Sequence, residues 1–419
     1  MMPLPPPKPA RWGCRPGRSV ARKVAVIGAG IGGTAAAINL LRAGFDVHVY
    51  EQARALREVG AGIQVSPNAS RVIDRLGFGD ELAKIGVRPE AFHQRRWQDG
   101  RTLLKSPLGE AVREAFGFPY YQVHRGDLLT MLTAALPPAR VHVGHKLVSF
   151  DDRGDSVAIQ FENGIETSAD VLIGADGIHS TVRHGLFGAE APRYSGGIAY
   201  RGLIPAERVR HFDVEVTTQI WMGPRGHVVV YFVAGKRYLN FVANADRDAS
   251  TLESWVQQGD PEILRATYAG WDPNLLAILD GISETFVWGI YERAPLPCWS
   301  VGRVTLLGDA CHAMQPHMAQ GAAQALEDGA TLVGCLERMP DIPAALLRYQ
   351  DLRLPRTAHV QSLAARNKDR FHMPDGPEQI ARDAKMAAGG TDWSLQAIGW
   401  LWGHDAYAAA EDGNLGLPS

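Results

Sequence analysis

Residues 23–51 constrain the fold most. Lys23-Val24-Ala25-Val26-Ile27 is a short β-branched, apolar run that leads directly into Gly28-Ala29-Gly30-Ile31-Gly32-Gly33. Residues 34–43 (TAAAINLLRA) then read as a helix, and a second apolar run from Phe45 to Tyr50 ends in Glu51. Strand, Gly-x-Gly-x-x-Gly turn, helix, and a second strand closed by an acid together form the pattern of a dinucleotide site in a doubly wound sheet. Gly28 permits the tight turn, Gly30 lets a pyrophosphate approach the backbone, and Gly33 lets the helix pack on the strand. Glu51, roughly 20 residues beyond the turn, is placed to accept hydrogen bonds from a ribose.

The 419 residues exceed the size of most single domains, and a hydrophobic content of 46% fits a globular enzyme with a large core. A net charge of −2, with acids and bases mixed along the chain, argues against a nucleic-acid surface. Cys14, Cys298, Cys311 and Cys335 lack paired or metal-type spacing. A reduced, cytoplasmic protein without a metal is therefore expected. With no apolar run of membrane-spanning length, no membrane partner is expected. A homodimer is compatible with the sequence.

The pattern divides the chain into five parts. Residues 1–21, rich in Pro and Arg, read as a flexible extension. Residues 22–190 read as α/β, with strands at Val24–Ile27, Val47–Tyr50, Val141–Val143, Val157–Phe161 and Val171–Ile173 and helices at Asn68–Leu76 and Arg125–Leu136. Residues 191–295 read as a β-rich insertion, in which His227–Val233 and Tyr238–Val242 pair as a hairpin. Residues 296–370 resume the first fold with a strand at Val304–Leu307 and helices at Gly321–Met339 and Pro343–Asp369. Residues 371–419, with Trp393, Trp400 and Trp402, read as a tail packed on the body. The expected fold class is thus a Rossmann-like nucleotide domain interrupted by a β-rich substrate domain, with C-terminal helices.

Two later segments repeat one device. Val171-Leu172-Ile173-Gly174-Ala175-Asp176-Gly177 and Val304-Thr305-Leu306-Leu307-Gly308-Asp309 each place an aspartate just beyond an apolar strand, where ligands of open α/β sheets bind. Gly321-Ala322-Ala323 opens a helix after the loop 314–320, so free N–H groups and partial positive charge face that region. No second Gly-x-Gly-x-x-Gly and no Cys-x-x-Cys occurs, which argues against a resident nicotinamide nucleotide and a disulfide reductase. Along a strand, His227, Val229, Tyr231 and Val233 share one face, a composition suited to an apolar pocket with a few polar handles.

The three motifs together resemble the class A FAD-dependent aromatic hydroxylases, the para-hydroxybenzoate hydroxylase fold, over about residues 22–370. The resemblance implies that Gly28, Gly30, Gly33 and Glu51 hold the adenosine half of FAD. It implies that Arg125 contacts FAD, that Asp176 serves FAD and NAD(P)H, and that Asp309 binds the ribityl and pyrophosphate region. Gly321 and Ala322 then face the flavin pyrimidine, and NADH or NADPH visits transiently. The strings Gly60-Ala61-Gly62-Ile63, His124-Arg125-Gly126-Asp127-Leu128, residues 174–180 and residues 316–322 are similar to the branch of the family acting on 6-hydroxynicotinate. By that likeness His227, Tyr231 and His317 are the catalytic candidates. Gln64 and Thr218 stand at pocket positions where that branch carries histidine and cysteine. Residues 370–377 (RFHMPDGP) are instead similar to relatives acting on salicylate and 3-hydroxybenzoate. The implied activity is hydroxylation, with or without loss of carbon dioxide, of a small hydroxylated aromatic or N-heteroaromatic acid such as 6-hydroxynicotinate by O2 and NAD(P)H. One alternative is a salicylate or 3-hydroxybenzoate hydroxylase, and a second is a flavin oxidase or dehydrogenase without oxygen insertion.

Overall fold

The computed structural model describes residues 22–56, 61–209, 214–247, 257–389 and 394–418. The segment 1–21, Cys14 and Trp393 lie outside the described residues.

The first sheet has six strands in the order Ser300–Val301, Val304–Leu306, Val171–Gly174, Lys23–Ile27, Asp46–Glu51 and Val141–Val143. Lys23–Ile27 pairs in parallel with strands on both sides, and only the Ser300–Val301 edge runs antiparallel. Parallel strands covered on both faces must be apolar throughout, which is why VLIG at 171–174 is entirely buried. The Ile31–Arg42 helix covers one face and packs against the Gly321–Arg338 helix. Small residues allow that approach: a Cβ on Gly329 would stand 3.0 Å from Ala36 Cα.

The second sheet has eight strands in the order Gln257–Gly259, Thr285–Glu292, Arg193–Pro205, Tyr238–Asp246, Gly226–Val233, Thr218–Gly223, Ala91–Arg96 and Thr102–Pro107. The expected hairpin forms, with Val233 opposite Tyr238. Ala234, Gly235 and Lys236 in its turn all have positive φ. One face of Gly226–Val233 sends Val228 and Val230 into a core with Trp221, Phe241 and Leu275. The other face looks toward the first sheet. The boundary at 190 needs correction, because the strands at 91–96 and 102–107 belong to this second sheet. They enter through a parallel pairing of Thr218–Met222 with Phe92–Arg96, a long-range contact without a local sequence signal.

Helix positions follow the sequence reading closely: Pro67–Arg75, Arg125–Thr133, Gly321–Arg338 and Ile342–Phe371. The last runs 30 residues with Pro355 inside, and Asp341 caps it by accepting from the Ala344 N–H at 2.8 Å. The C-terminal residues Ile398, Leu401 and Trp402 pack with Val360, Ala364 and Met318. No helix among the described residues is long and apolar enough to cross a membrane.

Candidate active site

At one end of the first sheet, a hollow of about 190 Å3 is lined by Gly28, Gly30, Tyr50, Glu51, His145, Lys146 and Asp176, among others. Gly28 has φ +103°, and a Cβ there would stand 2.4 Å from Ala175 O. A Cβ on Gly33 would stand 2.1 Å from Gly28 O, so helix and strand touch backbone to backbone. At Gly30 a Cβ would meet nothing within 4 Å, so the space over the helix start is open where free N–H groups converge. Glu51 is pinned by two N–H donors, Ala29 at 2.9 Å and Ala53 at 2.8 Å. Each of its oxygens keeps a lone pair for a ligand hydroxyl. Asp176 lines this hollow but also caps the Thr181–Phe187 helix: it accepts from Ser180 Oγ at 2.5 Å and Thr181 N at 2.7 Å. Burial pushes its carboxyl up from the ordinary range.

Past Gly30 the hollow continues into a larger cleft of about 380 Å3 between the two sheets. Arg125, Asp309, Gly321 and Ala322 border it, as do His227, Tyr231, Gln64 and His317. Gly321 starts the 18-residue helix whose N-terminus opens onto the cleft, and a Cβ there would lie 3.9 Å from Asp309 Oδ1. A smaller chamber of about 70 Å3 adjoins it, walled by Phe92, Leu108, Tyr120, Ile220, Phe371, Leu395 and Trp402. Gln64, His227, Val229 and His317 border both spaces.

The polar atoms facing these spaces are of two kinds. Some are held by partners. His227 Nδ1 lies 2.7 Å from His372 Nε2, and its Nε2 lies 2.9 Å from Asn244 Nδ2. Tyr120 donates to Gln64 Oε1, and Gln64 also hydrogen-bonds Tyr231. Others, among the described residues, have no partner: both ring nitrogens of His317, Asn244 Oδ1, Gln315 Oε1 and Arg201 Nε. These four residues all line the cleft, and buried polar atoms are otherwise almost always satisfied. A ligand with polar edges fits that set. Arg201 is stacked on Trp288 at 4.7 Å.

Burial holds both histidines neutral at pH 7. It drives His227 well below the ordinary histidine range, with His372 and His317 adding to the effect. It lowers His317 to about 3, with smaller contributions from His372 and Lys368. Neutral imidazoles carry lone pairs, so both can accept a proton or a hydrogen bond. Burial likewise raises Tyr231 and Tyr120 and keeps them protonated.

Thirteen of the fourteen site residues expected from sequence border one of these spaces, and Thr218 does not. Gly33 lies against the Gly28 backbone and also borders the cleft. Thr218 borders neither the cleft nor the chamber. It is fully buried, and its hydroxyl accepts from Gln122 Nε2 at 2.5 Å, so the Gln122 side chain covers it. Sequence reasoning missed Arg201, Asn244, Tyr120, His372 and Trp402. Asn244 and His372 reach His227 only through pairing of distant segments, and Trp402 was read as packing alone. The string 370–377 carries a likeness to relatives acting on salicylate and 3-hydroxybenzoate, but its spacing assigns His372 no place in the site. Against the expectation of no metal stands one cluster among the described residues, Cys311, His312 and Asp328, whose ligand atoms lie within 4.8 Å of one another. Asp328 there already accepts from His312, the Gly308 N–H and Arg353, and the guanidinium opposes a second cation.

An open α/β sheet with a glycine-lined cleft running from a pinned acid to a histidine-walled chamber defines a dinucleotide-dependent enzyme. The sequence profile of the FAD binding domain family matches residues 21–364. The 3-amino-4-hydroxybenzoate 2-monooxygenase of Streptomyces cremeus is 43% identical over 385 residues, covering 92% of this chain and 95% of that protein. The 6-hydroxynicotinate 3-monooxygenase of Bordetella bronchiseptica is 42% identical over 354 residues, covering 82% of this chain and 91% of that one. A salicylate hydroxylase substrate complex superposes with a TM-score of 0.80 at 27% identity, covering 95% of this chain and 99% of that chain. The chain belongs to the FAD binding domain family and is a flavin-dependent aromatic monooxygenase. Similarity does not single out 6-hydroxynicotinate, since the relative named for 3-amino-4-hydroxybenzoate matches a larger share of the chain at comparable identity.

Proposed function

We propose that this enzyme hydroxylates a small aromatic acid whose ring hydroxyl lies para to its carboxylate, with 3-amino-4-hydroxybenzoate and 6-hydroxynicotinate as the leading candidates. Both compounds, named in the two relatives, share that arrangement. The observation that carries the reading is the pair His227 and His317 on the wall common to cleft and chamber, both neutral, with the His317 ring nitrogens unpartnered among the described residues. Bound FAD, reduced by NAD(P)H, activates O2 and supplies the electrophilic oxygen.

In this reading Gly28, Gly30, Gly33 and Glu51 hold the adenosine half, and Arg125, Asp176, Asp309, Gly321 and Ala322 flank the remainder. The helix N-terminus at Gly321 stabilises negative charge on the reduced ring. The aromatic acid lies with its ring in the apolar chamber. Attack by an electrophile speeds up as the ring hydroxyl loses its proton, so the residues that draw that proton away are the chemical core of the site. His227 and His317 meet the hydroxyl edge, and Tyr231, fixed through Gln64 and Tyr120, borders the opposite side. Arg201 supplies the positive charge that a substrate carboxylate requires. The walls of Phe92, Leu108, Ile220, Phe371 and Trp402 keep water from the reacting carbon.

The test is a panel of 3-amino-4-hydroxybenzoate, 6-hydroxynicotinate, 3-hydroxybenzoate and salicylate with NADH or NADPH under labelled oxygen. Stimulated NAD(P)H oxidation and a product carrying one labelled atom are expected for a para-hydroxylated acid. Labelled product from salicylate or 3-hydroxybenzoate alone would move the assignment to those acids. Substrate oxidation without label would identify an oxidase or dehydrogenase, and peroxide as the sole product throughout would overturn the substrate class.

A further inference from the structure

His227 is not an isolated base. Its Nδ1 lies 2.7 Å from His372 Nε2, and His372 Nδ1 lies 2.8 Å from Asp246 Oδ1. The three groups come from two paired strands and the end of the 30-residue helix. Exposure rises along the series: His227 is 2% exposed, the His372 side chain 5% and that of Asp246 25%. The row therefore begins at the cleft and ends where water reaches.

The Asp246 carboxylate sets the direction of the hydrogen bonds along the row. Asp246 is raised by burial, but His372 and Lys368 outweigh this and hold it below the ordinary carboxylate range. An ionised carboxylate only accepts, so His372 Nδ1 carries a proton, and in the neutral ring its Nε2 offers a lone pair. His227 Nδ1–H must then donate to it, which leaves His227 Nε2 as the acceptor on the cleft side, in contact with Asn244 Nδ2. The charged and titratable groups around the row are His317, Lys368, Arg201 and Tyr268.

We infer that Asp246 and His372 form a proton outlet from the substrate site, with His372 as the positioning residue that keeps His227 Nε2 unprotonated toward the ligand. This rests on the hydroxylated aromatic acid proposed above. In the transfer, the ligand O–H bond breaks and a His227 Nε2–H bond forms, displacing the Asn244 amide from that lone pair. The His227 Nδ1 proton passes to His372 Nε2, and the His372 Nδ1 proton passes to Asp246 and then to water. One proton leaves, each imidazole ends neutral in its other tautomer, and no electron is exchanged. Ring reorientation, or the reverse shift, resets the row.

The experiment uses the FAD-loaded enzyme without NAD(P)H. Bound 3-amino-4-hydroxybenzoate or 6-hydroxynicotinate is titrated by absorbance, reading the ionisation of its hydroxyl, in the wild type and in Asp246→Asn and His372→Ala. Expected are an apparent ligand pKa raised by about one unit or more in both variants and a kcat lowered ~10²-fold with little change in KM. Added imidazole should restore His372→Ala in part. Should His372→Ala fail to fold, the partly exposed Asp246→Asn carries the test alone. Folded, flavin-bound variants with an unchanged titration overturn the outlet, even if the acid is hydroxylated. A shifted titration without hydroxylated product supports the outlet and overturns the substrate reading, and a wild type that binds neither acid overturns both.

Discussion

Two buried polar regions, one on the Gly321–Arg338 helix and one on the segment just before it, differ in how completely they are satisfied. On the side facing the 30-residue helix, Glu327 accepts from Arg353, Arg356 and Asn68, at 2.6 Å from Arg353 Nη1 and from Asn68 Nδ2. Asp328 accepts from Arg353, His312 and the Gly308 N–H. All four ionised groups are buried to within 1% exposure. On the cleft wall, His317 is also buried but has both ring nitrogens unpartnered among the described residues. A saturated network has no valence left for a ligand and locks two helices together. An unsaturated one is expensive to maintain and is kept where a ligand completes it.

Breaking the saturated side should cost most. Glu327→Ala leaves Arg353 and Arg356 buried without their shared carboxylate, and should cost about 3–5 kcal/mol of stability, read from the urea midpoint. On the unsaturated side, His317→Ala removes ring nitrogens that bond nothing among the described residues. It should leave stability and flavin content nearly intact while lowering kcat/KM by ~10²–10⁴-fold and diverting reduced cofactor to peroxide. Loss of flavin or a large fall in Tm would mark His317 as structural.

Acidification should separate the two regions by pH. His317 sits near 3 in the folded chain and about 6.5 in the unfolded one. Between those values the unfolded chain binds the extra proton, so this contribution is full above pH 6.5 and is lost as pH falls toward 3. By pH 5 about 2 kcal/mol of it is lost, and a His317→Phe variant should show an acid loss smaller by that amount. Burial alone would raise Glu327, but Arg356 and Arg353 depress it strongly. Its contribution therefore persists above the unfolded carboxylate range and fails only at lower pH. Smallest of all, Thr218→Val should cost roughly 1–3 kcal/mol by stranding the Gln122 donor, with KM for the aromatic acid unchanged. A raised KM would return Thr218 to the pocket.

The nucleotide end was legible because its signals are local. Gly28, Gly30, Gly33 and Glu51 lie within one βαβ unit, and each glycine does a steric task that shows in the spacing itself. His227 and Tyr231 were legible for a similar reason, since period-two alternation fixes which residues share a strand face. The chamber was only half visible. Gln64 reaches Tyr120, His227 reaches His372 and Trp402 closes the wall across separations that no local pattern encodes. The parallel pairing of 91–96 with 218–223 was invisible on the same grounds, and Thr218 was misplaced because nothing in its neighbourhood announces that Gln122 covers it.

The amino-acid order alone thus determined the doubly wound sheet, the FAD-type glycine turn and the strand presenting His227 and Tyr231, because backbone geometry and side-chain alternation act over a few residues. Only the tertiary structure decided which polar atoms were left unpaired, which histidine was backed by Asp246, and which apolar side chains enclosed the ring. Those outcomes depend on desolvation and on contacts between segments far apart in the chain, which have no energy until the chain has folded.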